Sequence, residues 1–241
     1  MNSVRWLTAA ICLSLPFAAL AQEPPAGTPA PEAASGPFTV GKITVDKQAK
    51  TVRFPAAVNM VDGTVEYLLV TDKGKTHESL LSTAVSPYHL HIAMLLLGVQ
   101  PSQEIKELPP EQLTSDSLKA APELKGDKVD ILISWKAGAE AREIRAEEWI
   151  NNRLTHAPMA EGPWVYTGSS IYQKRFLAQE EGSIIALVTD PVALVNNPRA
   201  GRNDDTAWSV RKDKVLPTGT AVEVTFRLLA SKTTPTTPSE K

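Results

Sequence analysis

The stretch Phe54–Gly98, FPAAVNMVDGTVEYLLVTDKGKTHESLLSTAVSPYHLHIAMLLLG, decides how this chain is read. It holds three of the four histidines, the longest apolar run outside the N-terminus and the clearest turn signals. Thr64 to Thr71 (TVEYLLVT) is apolar on both faces apart from Glu66, the pattern of a central strand. Asp72-Lys73-Gly74-Lys75 predicts a turn into a second strand, Thr76 to Thr83, giving a hairpin. Its register stays open. A two-residue loop, Lys73-Gly74, sets His77 on the face of Glu66, Leu68 and Val70, whereas a three-residue loop sets it with Tyr67. Ser86-Pro87 predicts a helix start, with serine capping the unpaired amides and proline tolerating the first helical position. The helix covers Tyr88 to Leu97 and Gly98 stops it. Because Ile92 to Leu97 is apolar all round, a buried helix is expected.

Upstream, Phe38–Asp46 and Thr51–Met60 read as strands across a polar turn, with Pro55 marking an edge or an irregularity. Asp62-Gly63 is a further turn signal. Downstream, Gln100–Gly126 carries four prolines and many charges and reads as a long excursion with at most one short helix. Lys128–Lys136 (KVDILISWK) alternates as a strand, and Gly138 turns the chain into Arg142–Ile150, which passes into a short helix near Glu147–Asn152. Trp164–Ser169, Gln173–Ala178, Ser183–Thr189 and Thr220–Ala230 are further strands. Many hairpin-sized strands and one strong helix predict an α+β fold: a mostly antiparallel sheet with one buried helix (about 88–97) and a few short helices. No fixed-period repeat is visible.

The chain has 241 residues, 42% hydrophobic and 22% charged, enough for an ordinary globular core. A formal charge of −2 offers no basic field for nucleic acid. Residues 1–21 read as a secretory signal, with Arg5 at its head, an apolar run from Trp6 and a small-x-small end at Ala19-Leu20-Ala21. The run is too short for a membrane span. Cleavage after Ala21 predicts a periplasmic or secreted protein without a stable transmembrane anchor. Residues 22–37 read as a disordered Pro/Ala-rich spacer, 38–231 as a single globular domain and 232–241 as a disordered tail. Cys12, the one cysteine, lies in the signal, so the mature chain has no thiol. That excludes disulfides, thiol catalysis, cysteine-ligated zinc and cysteine-ligated iron–sulfur clusters.

Two constellations could carry chemistry. The first is His77, Glu78, His89 and His91: imidazoles and a carboxylate form a ligand set for a divalent metal in a thiol-free protein. Against it, His89 and His91 lie about 200° apart on a helix, and His77-Glu78-Ser79-Leu80-Leu81 is not the H-E-x-x-H of zinc proteases. The bland alternative is a buried histidine locking the helix to the sheet. The second is the loop after the clearest strand, with Asp190, Asn196, Asn197, Arg199, Arg202, Asn203, Asp204 and Asp205. Arginines there could clamp an anion and the Asp/Asn oxygens could hold calcium; the alternative is a loop stitched by its own Asx turns. Trp135, Trp149, Trp164 and Trp208 read as core or core rim. A triad of Ser79, His77 and Asp190 can be composed, but no Gly-x-Ser-x-Gly elbow supports it.

Val58-Asn59-Met60, Glu66-Tyr67-Leu68-Leu69, Gly74-Lys75, His77-Glu78-Ser79, Leu90-His91, Leu95 to Gly98 and the later Asp190-Pro191 resemble the YdjY-like family of bacterial exported proteins. The resemblance implies one domain over most of the folded part and brings no catalytic assignment with it. Some members carry a ferredoxin-like label, from which this cysteine-free mature chain departs. The leading expectation is a periplasmic binding or accessory domain. Its ligand would sit on His77, Glu78, His91 and the Asp190–Asp205 loop, and could be a divalent metal, another small ligand or an envelope protein. The rivals are an envelope metal-dependent hydrolase using His77, Glu78 and His91, and a purely structural module.

Overall fold

The computed structural model describes residues 36–101 and 123–230, which are mostly β. The first strands are β1 (Phe38–Val40), β2 (Ile43–Asp46), β3 (Thr51–Val58), β4 (Tyr67–Thr71) and β5 (Ser79–Thr83), followed by α1 (Pro87–Leu97). Then come β6 (Lys128–Ala137), β7 (Glu140–Arg145), a 3-10 turn (Ala146–Trp149), β8 (Ile150–Asn152), β9 (Ala157–Pro158), β10 (Trp164–Tyr166), β11 (Ile171–Tyr172) and β12 (Arg175–Phe176). A short helix, α2 (Leu177–Glu181), leads into β13 (Ser183–Ala186), β14 (Val195–Asn196), β15 (Trp208–Val210) and β16 (Ala221–Leu228). The expected signal, most of the spacer, the tail and most of the Gln100–Gly126 excursion lie outside the described residues.

Eight strands close into a barrel in the order β3-β16-β6-β10-β14-β13-β4-β5, with β5 pairing back onto β3. β1 and β2 continue the sheet beyond β3, and β7 pairs with β6. This corrects the expected α+β fold: the architecture is a closed, mainly β barrel, and α1 packs against β1, β2 and β3 instead of forming a second layer. A strand apolar on both faces reads the same whether a helix or the far wall of a barrel covers it. Closure also removes the unpaired edges that an open sheet would expose.

The interior follows from the two-residue period of its long strands. Val52, Phe54, Ala56 and Val58 of β3, Val129, Ile131 and Ile133 of β6, and Val222, Val224 and Phe226 of β16 are all buried in one contiguous core. Phe54 and Phe226 meet edge to face with centroids 5.3 Å apart. Each such side chain contributes roughly 1.5–3 kcal/mol on burial. Pro55, which cannot donate to a ladder, falls in a gap on one edge of β3, between Thr51–Arg53 paired to β2 and Ala57–Val58 paired to β5. Thr83 Oγ1 covers that gap by donating to the Pro55 carbonyl at 2.6 Å.

Two local expectations are also corrected. β4 and β5 run parallel, with Tyr67 opposite Ser79 and Leu69 opposite Leu81, so they are not a hairpin and the question of loop parity falls away. The connecting segment doubles back because Asn59 Nδ2 holds the carbonyls of Thr76 and Ser79 at 2.6 and 2.7 Å. Gly74 backs onto the carbonyls of Glu181 and Gly182, where a Cβ would stand 3.1–3.2 Å away. The second correction concerns α1. Its caps are as expected: the Ser86 side chain accepts from His89 N, and Gly98 is left-handed at φ 94°. Its burial is one-sided, however. Leu90, His91, Ala93 and Met94 are buried, whereas Tyr88, Leu95 and Leu96 are exposed.

Candidate functional site

The first constellation does not assemble. His77 sits on a one-turn 3-10 helix with its side chain 80% exposed, and its Nε2 is 3.8 Å from Glu78. His89 lies on the exposed side of α1 against the β1–β2 turn, its Nδ1 3.3 Å from where a Cβ on Gly41 would stand. His91 is on the opposite side of α1, 2% exposed, with Nδ1 2.6 Å from the Tyr166 hydroxyl and its ring 5.1 Å from Phe176. Burial depresses the His91 pKa to about 4 and raises that of the Tyr166 phenol. Among the described residues no three His, Cys, Asp or Glu side chains gather as a metal site would require. Ser79 is buried and its hydroxyl donates to the Leu81 carbonyl, so it joins no triad.

The second constellation divides. Its first part is internal stitching. Asp190 accepts the Tyr67 hydroxyl at 2.9 Å, and Lys75 donates to that same hydroxyl at 3.0 Å. Burial, then the Asp190 charge, push the Tyr67 phenol above its ordinary range, so it remains a donor. Asn196 is fully buried, accepting from Asp190 N and donating to Thr167 Oγ1 and the Asp190 carbonyl. Asn197, also fully buried, donates to the Leu187 carbonyl and accepts from Arg199.

Arg199 belongs to a partly buried ionic knot, centred on the buried Glu147, that sequence reasoning does not find. Glu147, with no exposed surface, accepts at Oε1 from Arg199 (2.7 Å), Arg145 (3.2 Å), Trp164 Nε1 (3.2 Å) and Gly162 N (3.3 Å). Arg145 also donates to Asp130 at 2.7 Å, and Arg199 lies over the Trp164 ring at 5.0 Å. The two guanidiniums respond in opposite directions: the Asp130 hydrogen bond raises the pKa of Arg145, and burial lowers that of Arg199. Two cations and two carboxylates balance, as buried charges must. Trp149, Trp164 and Trp208 are core residues.

The second part of the loop is surface. Pro198, Arg199, Ala200, Gly201, Arg202, Asn203 and Asp204 line a shallow depression of about 440 Å³. Asp205 is exposed beside them. Asp204 accepts from Thr206 N and Oγ1 at 2.8 and 2.7 Å, contacts that hold its carboxyl below the usual range. Next to this depression is a larger one of about 480 Å³, lined by Asn151, Asn152, Arg153, Leu154, His156, Thr206 and Ser209. The two share a wall: Leu154, 53% exposed, reaches 3.3 Å from where a Cβ on Gly201 would stand. Gly201, left-handed at φ 89°, allows that approach.

The wall of the larger depression is the β8–β9 hairpin, in which Asn152 faces Ala157 across a four-residue tip. Asn152 Oδ1 accepts from Leu154 N and Thr155 N, an Asx turn, and His156 closes the tip at φ 53°, where glycine or asparagine is more usual. Arg153 Nη1 donates to Thr64 Oγ1 at 2.6 Å, and Thr64 itself bridges to Ser209. The readable signal for this site was the turn chemistry of Asn151-Asn152; the expected helix there hid it.

The sequence model of the YdjY domain matches residues 43–227. No curated protein and no solved structure matches the chain. No helix among the described residues is long and apolar enough to cross a membrane.

Proposed function

The chain belongs to the YdjY family, and from that premise we propose that it is an exported binding domain. It recognises its ligand with the surface formed by the β8–β9 tip, in the small β15-β8-β9 sheet, and the loop 198–206. The observation that carries this reading is the pair of adjoining depressions sharing the Leu154–Gly201 wall. The polar side chains lining them are amides, guanidiniums, an imidazole, hydroxyls and the Asp204 carboxylate, presented from a turn and a loop. Binding is the reading adopted because His91, Ser79 and Asp190 are hydrogen-bonded to Tyr166, Leu81 and Tyr67 and none of the three lines either depression.

The test is to add fractionated envelope extract to the 15N-labelled protein. Perturbed amide signals confined to residues 151–156 and 198–209 are the expected result. Perturbations centred on α1 or on residues 72–78 would move the site elsewhere. Export is tested separately: mass spectrometry of the protein from the periplasmic fraction should find a chain beginning at Gln22.

A further inference from the structure

We infer that the larger depression, the one beside Arg153, takes an oxyanion: the carboxylate or phosphate of a small ligand or of a chain end. This rests on the binding reading above and gives the ligand a chemical class. The lining carries one guanidinium, two side-chain amides, an imidazole and two hydroxyls, with no carboxylate among the lining residues. Such a wall is rich in donors and positive at Arg153, and arginine's planar fork suits planar and tetrahedral oxyanions.

The guanidinium is also pre-positioned. Thr64 Oγ1 accepts one Nη1 hydrogen at 2.6 Å, and Thr64 is fastened by its bridge to Ser209 on the floor of the same depression. Holding a long side chain before the ligand arrives lowers the ordering cost of binding. A competing anion is Asp204. Its Oδ1 already accepts both the amide and the hydroxyl of Thr206, and the Arg153 charge adds a smaller stabilisation of the carboxylate than those two bonds do. Arg153 therefore differs from the other arginines of the barrel end. Arg145 and Arg199 are committed to Glu147, and Arg202 to Thr189 and Asn203.

The experiment is an NMR titration of the labelled protein with inorganic phosphate, with acetate and with a short peptide bearing a free C-terminal carboxylate. Ionic strength is held constant with sodium chloride, because exposed charges are strongly screened. At least one probe should shift the amides of residues 151–156, 206 and 209 along a saturating curve. Arg153→Gln should weaken that binding about tenfold or more, the loss of one charge-assisted contact. Thr64→Val should weaken it less, and Arg142→Gln, on the exposed strand β7, not at all. Acetate and peptide binding without phosphate would assign a carboxylate ligand; phosphate alone would assign a phosphoryl group. Shifts that grow linearly and scatter over the surface, or equal binding by the Arg153→Gln protein, overturn the oxyanion assignment. If the extract still perturbs 151–156 and 198–209 while all three anions fail, the binding surface stands and only the anion class falls. If extract and anions both leave those residues unmoved, both readings fall.

Discussion

Arg145 and Arg199 share the buried carboxylate of Glu147 in a partly buried knot, whereas Arg153, a few residues along the same chain, reaches over an open depression and makes one hydrogen bond to a threonine. Arg145 ends β7, Arg153 sits at the β8–β9 tip and Arg199 lies in the loop after β14. What separates them is the surroundings. Burying a guanidinium without a partner is costly, and the inner pair is bound to Glu147 and Asp130. The outer one stays in water, where leaving its donors to solvent costs little. The same division runs through the loop from Asp190 to Asp205. Its first half disappears into the wall as hydrogen-bonded asparagines, and its second half forms a surface that a ligand can reach.

Substitutions can break or sharpen this contrast. The largest effect is expected from Glu147→Gln, which takes the paired carboxylate from Arg199 and leaves Arg145 with Asp130 alone. Urea denaturation should record a loss of about 3–5 kcal/mol. Failure to lose at least about 1 kcal/mol would mean that water reaches the knot and that the contrast with Arg153 is false.

His91 tests burial by pH. Its folded pKa of about 4 lies below the ordinary 6.5, so the unfolded chain binds the extra proton first. Its contribution is complete above about pH 6.5 and falls away as pH drops toward 4, by at most about 3 kcal/mol. Denaturation midpoints across that window should show the slope, and His91→Gln should flatten it. Asn196→Ala removes the side chain that joins Asp190 to Thr167 inside the wall, with an expected cost of about 1–3 kcal/mol. The smallest effect on stability belongs to Arg153→Gln, within about 0.5 kcal/mol as for an ordinary surface change. A large destabilisation there would show Arg153 to be a structural residue after all, and the outer half of the comparison would fail.

Much of the local structure was legible. The caps of α1 follow from Ser86-Pro87 and Gly98, because a helix end must satisfy its own amides and carbonyls with nearby groups. Pro55 was readable as an interruption because a missing N–H cannot be hidden. The alternating runs of β3, β6 and β16 show their core faces directly. The candidate site was legible in part: Arg202, Asn203 and Asp204 were singled out and do line a depression. The histidine set was equally prominent in the chain, yet His77, His89 and His91 lie in three different surroundings. Composition brings ligand types close in sequence, not in space.

Local chemistry, acting over a few residues, was determined by the sequence alone: where strands alternate, where the helix begins and ends, which residues cannot join a ladder, and the family to which the chain belongs. Only the tertiary structure decided that β4 and β5 run side by side in the same direction, that the sheet closes on itself, and that Glu147 goes under while Arg153 stays out. Those outcomes depend on contacts between residues far apart along the chain, such as Asn59 with Ser79 or Glu147 with Arg199. A polar side chain carries no mark of its own burial; the partners that permit it come from elsewhere in the fold.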